Sequence, residues 1–286
     1  LYPQIYTKAY TDFLKPGQVL FSRAGYAGAQ ATPILWAGDQ LSTFDELRSQ
    51  LNAGLSASAS GVIFWGFDIG GFAGELPSPE LYMRATQLAC FVPIMQWHSE
   101  PDGGQFKLLQ PGMEGNNERS PWNIERAFGL EGYADEVRYW HRLRVKLLPY
   151  IYAEAVKCVN SRRPLMRPLV YHWPRSSEAR AAWDEFLLGE SLLVAPLLEE
   201  NQTGRTLWLP QGGWYSLFTG QRFEGGQTVT AGPELTFPVF LREGCALALD
   251  LPKGAPLGAD ASPDTAALPR LVLAGEAGEY ALRAVP

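Results

Sequence analysis

Cysteine and histidine are scarce in this sequence, with three of each among 286 residues. Cys90, Cys158 and Cys245 are widely spaced, odd in number and without metal-ligand spacing, so they read as reduced, mostly buried thiols. Reduced thiols favour a reducing compartment, and a cytoplasmic location is the expectation. His98, His141 and His172 lie far apart with no H-x-x-x-H pattern, leaving little material for zinc; no metal and no cofactor are expected. The chain also lacks a Lys/Arg-rich run and carries a formal net charge of −6, which argues against a nucleic-acid partner, because such binding draws on neutralised phosphates. No apolar stretch approaches the roughly 20 residues of a membrane span, so no membrane insertion is expected. The opening "LYPQIYTKAY" has no basic segment followed by an apolar one and does not read as a signal peptide.

Aromatic residues, in contrast, are plentiful: nine Trp, twelve Tyr and fourteen Phe, many beside Gly, Asp or His. Flat rings suit the C–H faces of sugars, while Asp, Arg and His hydrogen-bond hydroxyls. Plain core packing accounts for most such rings in any globular protein.

The first 160 or so residues alternate short apolar strands with amphipathic helices. Four strands can be read: "QVLFSR" ending at Arg23, "PILWAGD" ending at Asp39, "GVIFWGFD" ending at Asp68 and "CFVPIMQWH" ending at His98. The spacing predicts a helix from about Thr43, with a Thr-x-x-Glu capping box, and another from about Pro79. A long helix follows, "YADEVRYWHRLRVKLLPYIYAEAVKCV", in which Pro149 should cause a kink or a restart. Buried strands alternating with helices signify a parallel sheet, and a parallel barrel carries its active site at the C-terminal strand ends. From about Arg163 short β-rich pieces take over: "PLMRPLVYHW", "SLLVAPLL", "GRTLWLPQGGWYSLFTG", "QTVTAG" and "LTFPVFLREGCALAL". They predict a β-sandwich, with a loosely ordered linker from Asp250 to about Leu268 before a last strand, "PRLVLAG". The expected division is 1–162 and 163–286.

Asp39 and Asp68 stand on neighbouring strand ends, and paired carboxylates are what glycosidic cleavage uses, one as proton donor and one as nucleophile or base. Arg23 suits a sugar hydroxyl or a nearby carboxylate, His98 another hydroxyl, and Trp36, Trp65 and Phe72 the walls. Each has a plainer alternative: Arg23 as a salt-bridge partner, His98 as a barrel-rim residue, Trp36 as core.

The segment from Ser22 to Phe72 resembles family 31 of the glycoside hydrolases, the retaining α-glucosidases and α-xylosidases. The motifs are Arg23 to Gln30 in loose form, Trp36-x-Gly-Asp39 and Gly66-x-Asp-Ile-Gly-Gly-Phe72. Downstream come Glu80-Leu-Tyr-x-Arg84, Phe91-x-Pro-x-Met-x-x-His98, Ser120-Pro-Trp122, Leu148-Pro-Tyr-Ile-Tyr152, Met166-Arg-Pro168 and Leu193-Val-Ala-Pro196. The likeness runs across most of residues 1 to 245. It implies the C-terminal half, strands five to eight, of a (β/α)8 TIM barrel followed by an antiparallel β-sandwich. It also implies that Asp39 is the general acid/base and Asp68 a substrate-binding carboxylate. Arg23 and His98 would bind hydroxyls, with Trp36 and Phe72 as walls. The family's nucleophilic Asp lies on the strand before the one ending at Arg23, and this chain begins just after that point. A retaining mechanism holds its two carboxylates about 5 Å apart. The expectation is a fragment that is inactive alone, binds carbohydrate, and self-associates or binds the missing N-terminal half. A non-catalytic carbohydrate-binding module and an α-glucan lyase of the same family are the alternatives.

Overall fold

The structure is a computed structural model describing residues 2–28, 34–98, 119–235, 237–249 and 270–273. Helix α1 (Tyr2–Thr11) has no buried residue. Strands β1 (Phe21–Ser22), β2 (Ile34–Trp36), β3 (Phe64–Asp68) and β4 (Ile94–Gln96) form a parallel sheet in sequential order. The crossovers explain the order. Helix α2 (Phe44–Ala59) joins β2 to β3, and α3 (Pro79–Cys90) joins β3 to β4.

Both helices begin where their sequences dictate. Thr43 Oγ1 accepts from Glu46 N at the first turn of α2, and Ser78 Oγ accepts from Leu81 N ahead of Pro79 in α3. Leu47, Leu51 and Leu55 line the buried face of α2, each contributing about 1.5–3 kcal/mol when fully buried. Gly54 lets α2 lie directly on the Trp65 ring; a Cβ there would sit 2.6 Å from it.

Helix α4 (Pro121–Phe128) leads into α5 (Tyr133–Ser161), which runs through Pro149 without a restart. A proline removes one helical hydrogen bond. The buried face of α5, from Val137 through Leu143, Leu147 and Ile151 to Cys158, carries it across that loss. Arg144, buried on the same helix, donates to the carbonyls of Cys90 (2.9 Å), Val92 (2.7 Å) and Pro93 (2.7 Å), fixing the entry into β4. Cys90 and Cys158 are buried free thiols and Cys245 is half-buried, as the spacing suggested.

The remainder is antiparallel. It comprises β5 (Met166–Pro168), α6 (Leu169–His172), α7 (Ser177–Ala181), β6 (Phe186–Leu188), β7 (Leu192–Val194), β8 (Arg205–Leu209), β9 (Gly213–Ser216), β10 (Arg222–Glu224), β11 (Gln227–Ala231), β12 (Val239–Arg242), β13 (Ala246–Leu249) and β14 (Arg270–Leu273). A six-stranded sheet, β10-β9-β12-β7-β6-β5, is accompanied by the ribbons β11-β8 and β13-β14. Several details differ from the sequence reading, which also offered neither α7 nor β10. The second half of "PLMRPLVYHW" is the short helix α6, and β6 was not anticipated. The expected linker falls outside the described residues.

The two parts share one apolar core, running from Leu35 and Trp65 through Leu143 to Val194 and Leu241. Polar contacts also tie the two parts together. Arg48 Nη1 donates to Leu198 O (3.1 Å), Arg84 Nη2 to Gln202 O (2.9 Å), and Asn201 N to the Glu80 carboxylate (3.0 Å).

Arg144→Leu strips three buried carbonyls of their donor. Equilibrium urea unfolding should show a loss of about 3 kcal/mol; a loss below about 0.5 kcal/mol would contradict this role for Arg144.

Candidate active site

β2 ends at Trp36, and the chain turns through Gly38 at φ +90° to present Asp39. A Cβ on Gly38 would stand 2.8 Å from Arg23 Nε, so the glycine allows Arg23 to reach across from the end of β1. Arg23 Nη1 then lies 3.0 Å from Asp39 Oδ2. The pair is open: 57% of the Arg23 side chain and 23% of the Asp39 side chain remain accessible, so water screens it and its contribution to stability is small.

Asp68 closes β3 and is buried completely. Its Oδ1 accepts from Nε2 of Gln96, its register partner on β4, while Oδ2 has no hydrogen-bond partner among the described residues. Burial pushes the Asp68 carboxyl up to about 6. The Gln96 hydrogen bond and the charge of His98 oppose that rise, the charge of Asp39 adds to it, and Arg23 opposes it. The two carboxylates thus occupy contrasting environments, one wet and paired with a cation, the other dry.

The loops after β2 and β3 are laced together. Gln40 Nε2 donates to Asp68 O (2.8 Å), and Gln40 O accepts from both Phe72 N and Ala73 N (2.9 Å each). Gly71, at φ +87°, passes so near Ser42 that a Cβ would lie 2.7 Å from its Cα. This turn delivers Phe72, buried, against the exposed His98 ring, centroids 4.8 Å apart and planes at 37°.

The structure therefore gathers Arg23, Asp39, Asp68, Phe72 and His98 at the C-terminal ends of the four strands. Trp36 is half-buried and packs on Phe21 of β1 at 4.8 Å. Trp65 is no wall. It points from the opposite face of β3 into α2 at Gly54, because successive strand side chains alternate and Asp68 takes the other side.

Three polar residues escaped the sequence reading. Gln40 and Gln96 hold Asp68 from either side. Gln96 had a usable signal, since it shares a strand face with His98 two residues on. Arg119 had none. Its buried guanidinium donates to Ser42 Oγ (3.2 Å), Gly74 O (3.0 Å) and Glu75 O (3.2 Å), and its carbonyl accepts from Trp97 Nε1 (3.1 Å). Burial lowers its pKa to about 10 against the opposing pull of the Asp68 charge. No group of His, Cys, Asp and Glu among the described residues is arranged to hold a metal ion.

An unperturbed Asp titrates at 3.8, so between about pH 4 and 6 the folded chain retains on Asp68 a proton that the unfolded chain has released. Stability contributed by Asp68 consequently falls as pH rises through that window. Asp68→Asn keeps an acceptor for Gln96 and never ionises. Urea titrations should show the variant gaining about 3 kcal/mol on the parent between about pH 4 and pH 7; a pH-independent difference would refute the assignment.

The glycosyl hydrolases family 31 TIM-barrel domain matches residues 1–154, and the glycosyl hydrolase family 31 C-terminal domain matches residues 162–247. The isomaltosyltransferase of Sporosarcina globispora is 39% identical over 255 residues, covering 87% of this chain and 22% of its own length. The 1,3-alpha-isomaltosidase of Kribbella flavida is 38% identical over 245 residues, 85% of this chain and 33% of its own. Among solved structures, the cycloalternan-forming enzyme from Listeria monocytogenes in complex with a pentasaccharide substrate superposes with a TM-score of 0.86 at 36% identity. It covers 96% of this chain, which spans 26% of that one. The cycloalternan-degrading enzyme from Trueperella pyogenes, solved with isomaltose, gives 0.77 at 38% identity, with 86% of this chain and 34% of that one covered. The chain thus spans between 22% and 34% of the length of these relatives and is a partial barrel followed by a C-terminal β domain. It belongs to family 31 of the glycosyl hydrolases.

Proposed function

We propose that this chain carries one half of the active site of a retaining α-glycosidase acting on α-glucosides or α-xylosides, with Asp39 as general acid/base. The observation that carries this is the contrast between the two carboxylates. Asp39 is water-accessible at a strand end and 3.0 Å from Arg23, suited to exchanging a proton with a bound glycoside. Asp68 is buried, tied to Gln96 and biased toward its neutral form. That environment suits hydrogen bonding to a sugar hydroxyl far better than nucleophilic attack. Arg23 and His98 take further hydroxyls, and Phe72 and Trp36 supply apolar surface to the ring.

In the first step a carboxylate supplied from elsewhere bonds to the anomeric carbon while the Asp39 carboxyl gives its proton to the departing glycosidic oxygen, leaving a glycosyl ester that the second step's hydroxyl displaces. In the second, the Asp39 carboxylate takes a proton from the attacking hydroxyl. Water as that acceptor gives hydrolysis; a second sugar gives transfer. The relatives named above include both outcomes, an isomaltosidase and an isomaltosyltransferase.

The attacking carboxylate comes, on this reading, from polypeptide outside the 286 residues. Strands β1 and β4 are the two ends of the parallel sheet. Beside β4 runs an apolar groove of about 900 Å³ floored by Phe64, Ile94 and Met95 and walled by α5. Helix α5 exposes Val145, Leu148, Tyr152, Val156 and Val159 along one stripe. The remaining strands and helices of a closed barrel are its natural occupant. On the same reading the barrel part ends at residue 162 and the β domain begins at 163.

The 286-residue chain by itself should not turn over isomaltose or an aryl α-glucoside. It should sediment as more than a monomer at micromolar concentration, and Leu148→Glu should reduce that association. Turnover by the chain alone, or a clean monomer, would sink the half-site reading. Co-expressed with a segment supplying the other strands and the nucleophile, it should cleave with retention. There Asp39→Asn should cost about 10³-fold on isomaltose and far less on an aryl glycoside whose leaving group needs no proton. Equal losses would remove the acid role, and sugar binding without any turnover would favour a non-catalytic module.

A further inference from the structure

Away from the strand ends, a shallow cleft of about 510 Å³ lies where α2 meets the β domain. One side is the outward stripe of α2 formed by Asp45, Arg48, Ser49 and Asn52, at helical spacing; the other is the indole of Trp183. Trp183 is 47% exposed.

Both sides are tied into the fold. Arg48 is fixed by Leu198 O at 3.1 Å and by an ion pair with Asp45. Trp183 follows Ala182, the cap of α7, with its backbone N–H on Ala181 O at 2.9 Å. The next residue, Asp184, pairs with Arg205 at 2.8 Å, and Arg205 also donates to Pro196 O at 2.8 Å. An exposed indole on a braced segment loses little conformational entropy on binding.

The lining selects the chemistry. Asp45 cancels the charge of Arg48, so the cleft offers no net attraction to an anion such as a phosphate. Trp183 is its sole apolar side chain, which is too little for a peptide or a lipid. What remains is one flat ring facing a carboxylate, a guanidinium, a hydroxyl and an amide. A neutral ligand with an apolar face and a rim of hydroxyls fits, which describes a pyranose.

We propose that this cleft is an auxiliary carbohydrate-binding site, separate from the strand-end site, that holds an α-glucan chain with a glucosyl ring stacked on Trp183. The choice of an α-glucan among carbohydrates rests on the α-glycosidase reading above; the existence of the site does not. It would anchor a polymeric or oligomeric substrate and raise its local concentration near the strand ends.

Native affinity electrophoresis of the 286-residue chain in gels containing dextran, against dextran-free gels, tests this directly. The parent should be retarded. Trp183→Ala should weaken the apparent affinity about fivefold, the scale of one lost ring contact, and Asn52→Ala should weaken it measurably, with circular dichroism unchanged in both. Asp39→Asn should leave the retardation as in the parent. No retardation of the parent, or retardation that survives Trp183→Ala and vanishes with Asp39→Asn, would overturn the auxiliary site; the latter result would leave the strand-end reading intact. Retardation lost only with Trp183→Ala, alongside absent turnover in the complemented enzyme, would uphold the auxiliary site and reject the α-glycosidase reading.

Discussion

The close approach of the β2 and β3 loops is the constraint on which the site depends. At Gly71 the backbone leaves no room for a side chain beside Ser42, and Gln40 uses its carbonyl and its amide together to bind the opposite loop at three points. Without that contact Phe72 would not reach His98, and Asp68 would lose its cover. The glycines of the Gly66 to Phe72 motif are thus steric requirements. Gly66 lies against Ile94 O, Gly70 against Tyr82 and Gly71 against Ser42, so each marks a surface that the backbone must touch.

A buried, partly unpartnered carboxyl is an expensive thing for a fold to hold. The chain offsets it through Gln96 and through the cationic fields of His98 and Arg23. Arg119 does comparable work from behind, with three acceptors drawn from the two loops and its own carbonyl tied to Trp97 beside His98. The result is a rigid floor with an accessible rim. Asp39 and Arg23 are the solvent-accessible partners at that rim.

The outlines were legible because local physics wrote them. Strand, turn and helix succeed one another at Trp36, Gly38 and Thr43, and the Ser78-Pro79 start of α3 needs no tertiary information. Trp65 was misassigned for a reason that is equally local: strand parity places it opposite Asp68, and composition alone had promoted it to a wall. Pro149 starts no new helix, since the buried face of α5 runs on across the one lost hydrogen bond. α6 escaped because a single turn of helix has almost no periodicity to display.

The sequence by itself determined the parallel order of strands and helices, the glycines that make the loops meet, and the placement of Arg23, Asp39, Asp68 and His98 at strand ends. These follow from side-chain periodicity and backbone sterics within short windows. Only the tertiary structure decided what those groups are. Asp68 became dry and reluctant to ionise because residues as distant as Gln40 and Gln96 enclosed it. Arg119 became a strut because Ser42 lies 77 positions away. Desolvation and long-range hydrogen bonds depend on what surrounds a group in space, and chain order does not carry that information.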